Sequence, residues 1–191
     1  LDMPEETAAL WTDDGWMRTG DLGALDDEGF LRITGRKKDL LITAGGTNVA
    51  PAEMENHLAA IPGVGQAVVV GDRQPYLCAL LALEEEALPD LCGAAGVPIA
   101  PLAELAANEQ VRAFLADRVE EQCNSKVARY QTIKKFEVLP HMLSVEGGEL
   151  TPTMKVKRNI INDKYKAIID GMYAKGGEAS SKAQQSAQAA R

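Results

Sequence analysis

The chain has 191 residues, room for one or two domains, and is 46% hydrophobic, enough for a real core. Its formal net charge of −8 argues against a nucleic-acid partner, and none is expected. No stretch approaches the ~18 apolar residues of a membrane span, and the acidic N-terminus lacks the basic flank and apolar run of a secretory signal.

The first residues, 7–11, read as a helix and 12–15 as a turn. Residues 16–35 read as a β-hairpin, its two strand-like runs flanking Asp26-Asp27-Glu28-Gly29, a good turn sequence. The hairpin places Asp21 and Arg36 on either side, and Arg36-Lys37-Lys38-Asp39 follows as a charged connector. An acid accepts hydrogen bonds from a sugar diol and an arginine donates to the same hydroxyls; the plainer reading is a surface hairpin with solvated or paired charges. Residues 40–43 read as a short apolar strand, Gly45-Gly46 as a tight turn and 48–49 as the return. Pro51 suits the first turn of a helix running to about Ala60, with Glu53 and Glu55 near its positive end.

Residues 67–70 and 76–83 are apolar and β-branched or leucine-rich, joined by Gly71-Asp-Arg-Gln-Pro75, which predicts an antiparallel pair. A helix is expected over 84–95, closed by Gly96, and a short one over 102–107. Asn108 is placed to cap a long helix from Glu109 to about Ala128, with Val111, Phe114, Leu115, Val119, Cys123 and Val127 on one face; core packing explains that stripe more simply than a ligand groove. A strand over 133–139, a glycine-containing loop over 144–150 and a final helix over 159–173 complete the pattern. From Lys175 on, Gly, Ser, Ala and Gln dominate, which predicts a disordered tail over 175–191. Cys78, Cys92 and Cys123 are widely spaced and suit reduced thiols, and His57 and His141 are too few for a histidine-based site; no metal site is predicted.

Three ordered segments carry chemistry: Trp16-Met-Arg-Thr-Gly-Asp21 with Arg36; Asp39-Leu-Leu-Ile-Thr-Ala-Gly-Gly46 through Glu55; and Leu150-Thr-Pro-Thr-Met-Lys-Val-Lys-Arg158. In this order they resemble the adenylate-forming enzymes, the superfamily of acyl-CoA synthetases, adenylation domains and luciferases. The form Glu-Leu-Thr-Pro-Thr-Met-Lys-Val-Lys-Arg is similar to the long-chain fatty acyl-CoA synthetases of the bubblegum type. Against the superfamily's Thr-x-Ser-Gly-Lys-x-x-Arg, this chain has Thr153-Met154 in place of Ser-Gly, the departure that points to the long-chain branch.

The resemblance implies an α+β fold, a small mixed sheet flanked by helices. Residues 38–174 would be the mobile C-terminal lid, and residues 1–37 the end of a large N-terminal domain, so the chain is read as a fragment. It implies that Asp21 and Arg36 bind the ribose hydroxyls of ATP, that Lys38 is the hinge, that Gly45 and Gly46 line the tunnel for the pantetheine arm of coenzyme A, and that Lys155 is the catalytic lysine of adenylation. Glu53 is kept structural. Lys157 and Arg158 compete with Lys155, which is chosen by the spacing from Thr151.

The implied reaction joins a fatty acid to coenzyme A with ATP and Mg²⁺, through acyl-AMP. Fatty acid, ATP and coenzyme A would bind with the large N-terminal domain, and the fragment alone is expected to hold no ligand and to be inactive. A cytoplasmic location is expected, with or without membrane attachment of the whole enzyme. Two rival readings are an adenylation domain that loads a carrier protein and a non-catalytic binding module; the latter rests on the absence here of a phosphate-cradling loop, a nucleophile–base pair or a metal cluster.

Overall fold

The computed structural model describes residues 2–174. The predicted tail over 175–191 lies outside the described residues. A short helix α1 (Pro4–Ala9) opens the chain, earlier than the expected 7–11 because Pro4 fits the first helical turn. The hairpin follows as β1 (Asp21–Leu25) and β2 (Leu31–Arg36), antiparallel, with Asp21 opposite Arg36. Its turn forms because the Asp26 carboxylate accepts hydrogen bonds from the backbone N–H groups of Glu28 (3.1 Å) and Phe30 (2.8 Å), and Gly29 takes φ +86°.

A two-residue pair, β3 (Leu41–Ile42) with β4 (Asn48–Val49), leads into α2 (Pro51–Ala59), which starts at its proline and buries Met54 and Leu58 completely. The main sheet has three strands in the order β5 (Val64–Val70), β6 (Leu77–Leu83), β7 (Ile133–Leu139). β5 and β6 are antiparallel and β6 and β7 are parallel, so the sheet is mixed, as the family resemblance implies.

Joining two parallel strands requires a crossover. It is supplied by α3 (Leu88–Ala95), α4 (Leu102–Ala107) and α5 (Glu109–Gln122). With α2 these helices cover one sheet face, packing on Val69, Leu77, Ala79, Leu81 and Leu83. The other face, with Val68, Val70, Cys78, Leu80 and Ala82, is covered by Leu143, Leu150 and the C-terminal helices α6 (Arg158–Lys164) and α7 (Lys166–Tyr173). All seven residues of β6 are buried, since it lies between two cores.

The cap of α5 forms as expected: the Asn108 side chain accepts from Gln110 (2.9 Å) and Val111 (3.1 Å). Val111, Leu115, Val119 and Cys123 are buried, with Phe114 and Val127 packed against the same core. The helix stops at Gln122 rather than near Ala128. The Asn124 amide pairs with both main-chain groups of Ile133, at 2.8 and 3.1 Å, which turns the chain toward β7 through two short 3₁₀ turns. The final helix is also interrupted, at Tyr165 (φ −102°, ψ 16°), whose hydroxyl reaches the buried Glu149 carboxylate at 2.9 Å. The helix expected over 84–95 begins with a 3₁₀ turn and is α-helical from Leu88, where Pro89 fits the first turn.

Candidate functional site

The hairpin register brings Asp21 and Arg36 together, Arg36 Nε lying 2.9 Å from Asp21 Oδ1. Both line an open cleft of about 530 Å³ between the hairpin and α2, together with Arg32, Asp39, Glu53, Glu55, His57 and Arg158. An Arg32–Glu53 ion pair (3.0 Å) spans the two sides, and Gly35 packs so near Ala50 that a Cβ there would sit 3.0 Å from the alanine methyl. A carboxylate beside a guanidinium offers acceptors and donors for vicinal hydroxyls. Among the described residues no group of three or more His, Cys, Asp or Glu side chains is arranged to hold a metal ion.

The third segment forms a tight turn. Leu150 bridges to Val156, the Thr151 and Lys155 main chains pair at 2.8 Å, and the Thr151 hydroxyl accepts from Lys155 N at 3.0 Å. Met154 takes φ +61° to close it. Lys155 is exposed at this turn, and its ammonium forms no ion pair among the described residues. Of its two neighbours in the basic run, Arg158 is engaged: its guanidinium donates to both Glu55 oxygens (2.7 and 2.8 Å) and to Val69 O (3.1 Å). The cleft therefore gathers Asp21, Arg36 and Arg158, and its lining does not include Lys155 or the two glycines.

At the foot of the turn sits Glu149, 1% exposed. Its carboxylate accepts from Lys164 Nζ (2.6 Å) and the Tyr165 hydroxyl (2.9 Å), and His141 Nε2 bonds with that hydroxyl at 2.9 Å. Burial opposes its ionisation, but donation from Lys164, from its own backbone N–H, and from Tyr165 and Ser144 outweighs this and holds the carboxyl at about 2. Burial, with Glu149 alongside, pushes the Tyr165 phenol well up. This cluster escaped sequence reading because its members, at 141, 149, 164 and 165, share no spacing pattern. The sign of an acid placed just before Leu-Thr-Pro-Thr was the available signal.

Gly45 and Gly46 lie in the exposed β3–β4 turn, closed by Gly46 N to Thr43 O at 2.8 Å. Gly46 needs φ +78°, whereas Gly45 has no positive φ and only Thr43 Oγ1, at 3.9 Å, near a Cβ position. Lys38 is exposed in a 3₁₀ turn, Lys37–Asp39. Lys37 N bonds Gly20 O in the hairpin (2.8 Å), while Ile42 N bonds the Asp72 carboxylate (3.0 Å) on the β5–β6 connection.

The family profile described as the C-terminal domain of AMP-binding enzymes matches residues 38–177. This chain belongs to that family. The AMP-binding C-terminal domain is 45% identical over 166 residues to the long-chain-fatty-acid–CoA ligase FadD15 of Mycobacterium tuberculosis, covering 85% of this chain and 27% of the relative. It is 38% identical over 191 residues to the long-chain-fatty-acid–CoA ligase ACSBG2 of Gallus gallus, covering 91% and 25%. The chain thus spans about a quarter of the length of these curated relatives. The adenylation domain of a carboxylate reductase from Mycobacterium chelonae shares the fold at TM-score 0.71 and 24% identity, over 91% of this chain and 25% of that one. An O-succinylbenzoate coenzyme A synthetase from Bacillus subtilis, in complex with ATP and a magnesium ion, matches at TM-score 0.54 and 29% identity, over 83% and 26%.

The Glu149 cluster sets a pH signature for this AMP-binding domain. A carboxyl depressed on folding contributes stability above its ordinary pKa of 4.5 and loses it as pH falls toward about 2. Glu149→Gln should lower unfolding stability by about 1–3 kcal/mol at pH 7, and the gap should close between pH 4.5 and 2. Urea titrations of both proteins across that range test this; a gap independent of pH would contradict it.

Proposed function

We propose that this chain carries the catalytic lid, with the end of the large domain before it, of an ATP-dependent long-chain fatty acid–CoA ligase. The observation that carries the reading is Lys155, exposed at a braced turn and without an ion pair among the described residues, in a chain whose relatives are named long-chain-fatty-acid–CoA ligases. The fatty-acid carboxylate attacks the α-phosphorus of ATP and expels pyrophosphate, giving acyl-AMP. The coenzyme A thiol then attacks the acyl carbonyl and expels AMP, giving acyl-CoA.

Lys155 serves the first step. Negative charge spreads over the phosphate oxygens as the carboxylate approaches, and a fixed cation stabilises it. Lys suits this as a compact point charge on a long stem, whereas Arg158, already bonded on three sides, does not reach out. Asp21 and Arg36 take the ribose hydroxyls, Asp21 accepting and Arg36 donating. Magnesium would accompany the ATP phosphates, but no residue group described here fits it and no step of this chain is assigned to it.

Lys38 is the hinge. Support comes from its place between the last main-chain bond to the hairpin, at Lys37, and the first tie to the sheet, at Ile42. Rotation there needs the exposed 3₁₀ turn to change and the exposed Arg32–Glu53 pair and the Gly35–Ala50 contact to part. The Gly45-Gly46 turn then lies along the pantetheine arm, where its open surroundings leave room for a thin chain. Residues 38–174 form the lid and residues 1–37 belong with the large domain. The carrier-protein alternative finds no support in the carboxylate reductase match, which is one of fold. Among the described residues no helix is long and apolar enough to cross a membrane, and all three cysteines are free. We place the enzyme in the cytoplasm on that thiol chemistry.

In the ligase carrying this domain, Lys155→Ala should cut fatty-acid-dependent pyrophosphate exchange by ~100-fold or more, the scale of one lost electrostatic stabiliser. Thioester formation from supplied acyl-AMP should change little; equal loss of both half-reactions would refute the assignment. Gly45→Leu should do the reverse, blocking thioester formation and sparing exchange. Gly45 is the position to test, because any side chain at Gly46 meets backbone strain as well. A Gly45→Leu enzyme with parent-like thioester formation would leave the loop a mere turn.

A further inference from the structure

We propose that Arg158, locked by Glu55, is the positioning residue that holds Lys155 in place for adenylation. The inference rests on the role proposed above for Lys155. It starts from a closed ring of hydrogen bonds on the edge of the sheet. β5 is an edge strand, and the main-chain groups of its Val69 are taken up by two side chains. Val69 N donates to Glu55 Oε1 at 2.9 Å and Val69 O accepts from Arg158 Nη1 at 3.1 Å. Arg158 Nη2 completes the ring on the two Glu55 oxygens, at 2.7 and 2.8 Å. The Arg158 and Glu55 side chains are only 23% and 18% exposed.

The geometry requires a planar fork. One guanidinium spans a carbonyl on β5 and a carboxylate on α2, which a lysine ammonium cannot do with the same directions. Only Val156 and Lys157 separate this anchor from Lys155. Val156 is tied to Leu150, and Lys157 N to Glu149 O at 2.8 Å. The turn therefore stands on two feet: Glu149 on its N-terminal side, and Arg158 on its C-terminal side. Glu149 fixes the turn to α6. Leu150 and Val156 seat its base against Val68, Val70 and Leu80 on the sheet face, and Arg158 adds directed hydrogen bonds to α2 and to the edge of β5. Without Arg158 the turn keeps its shape and its apolar seat but loses its directed hydrogen bonds to α2 and the β5 edge, and a misplacement of ~1 Å is enough to cost ~100-fold in rate.

Two other roles for Arg158 are open to experiment. It could act only as an edge cap for β5, in which case its loss would weaken the whole domain. It also lines the cleft with Asp21 and Arg36, so it could touch the nucleotide directly. A double-mutant cycle in the ligase carrying this domain separates these, with pyrophosphate exchange and thioester formation from supplied acyl-AMP as the two readouts.

For Arg158→Met we expect a ~30–100-fold fall in kcat for exchange, an ATP KM within ~2-fold of the parent and a thioester rate within ~3-fold. Arg158→Lys should recover less than about a tenth of the lost rate. Glu55→Gln, which keeps the volume and one acceptor, should lose ~5–10-fold in exchange alone and guards against an unfolded Arg158→Met. The double variant Lys155→Ala/Arg158→Met should be no slower than Lys155→Ala, because a positioning residue has nothing left to position. Multiplied losses in the double variant, or a raised ATP KM, would overturn the inference in favour of direct nucleotide contact. Equal losses in both half-reactions with a lowered Tm would overturn it in favour of an edge cap. Parent-like exchange in Arg158→Met beside a crippled Lys155→Ala would sink this inference and leave the role of Lys155 standing. Parent-like exchange in Lys155→Ala would remove both.

Discussion

Strand β6 runs between two cores, with Leu77, Ala79, Leu81 and Leu83 facing one and Cys78, Leu80 and Ala82 facing the other. Each buried leucine contributes about 1.5–3 kcal/mol, whereas exposed ion pairs such as Arg32–Glu53 and Arg36–Asp21 contribute about 0–1 kcal/mol each. The sandwiched sheet therefore holds the domain, and the hairpin is attached to it lightly. That difference in grip is what the hinge proposed at Lys38 would need: a rigid body on one side and few commitments across it.

The chemistry-bearing segments sit at the margins of this sheet, and each is tied down separately. The β3–β4 turn is held through Asp72 and Gln74 on the β5–β6 connection. The 151–155 turn is held through Glu149 and Arg158. The structure sorts its cations by partner. Arg112 pairs with Glu137, Lys164 with Glu149, Arg158 with Glu55, and Lys135 bonds the Met172 carbonyl. Lys155 is exposed and Lys157 half-buried, and neither forms an ion pair among the described residues, so the braced turn rather than the missing partner is what sets Lys155 apart.

Much of this was legible in the sequence where the cause is local. The Asp26-Asp27-Glu28-Gly29 turn sets the pairing of Leu25 with Leu31, and Asn108 marks the start of α5; the register shift between Leu22 and Gly23 that brings Arg36 opposite Asp21 carried no sequence signal. What escaped depends on partners far along the chain. α5 ends early because Asn124 binds Ile133, and the last helix breaks where Tyr165 meets Glu149. Periodicity sees neither. The parallel pairing of β6 and β7 was equally hidden, since strand direction is set by where the crossover packs. At the site, spacing alone chose Lys155 over Arg158. Only the fold shows why they differ, because Glu55 lies 103 residues from the arginine it locks.

The central claim is that one domain presents two different turns to one substrate by rotating about Lys38. The most direct measurement is single-turnover kinetics of Lys38→Pro in the ligase carrying this domain, since proline fixes φ and restricts the residue before it. The account predicts that one half-reaction runs near the parent rate while the other falls by ~100-fold or more, as an arrested hinge would require. Parent-like rates for both half-reactions would contradict it.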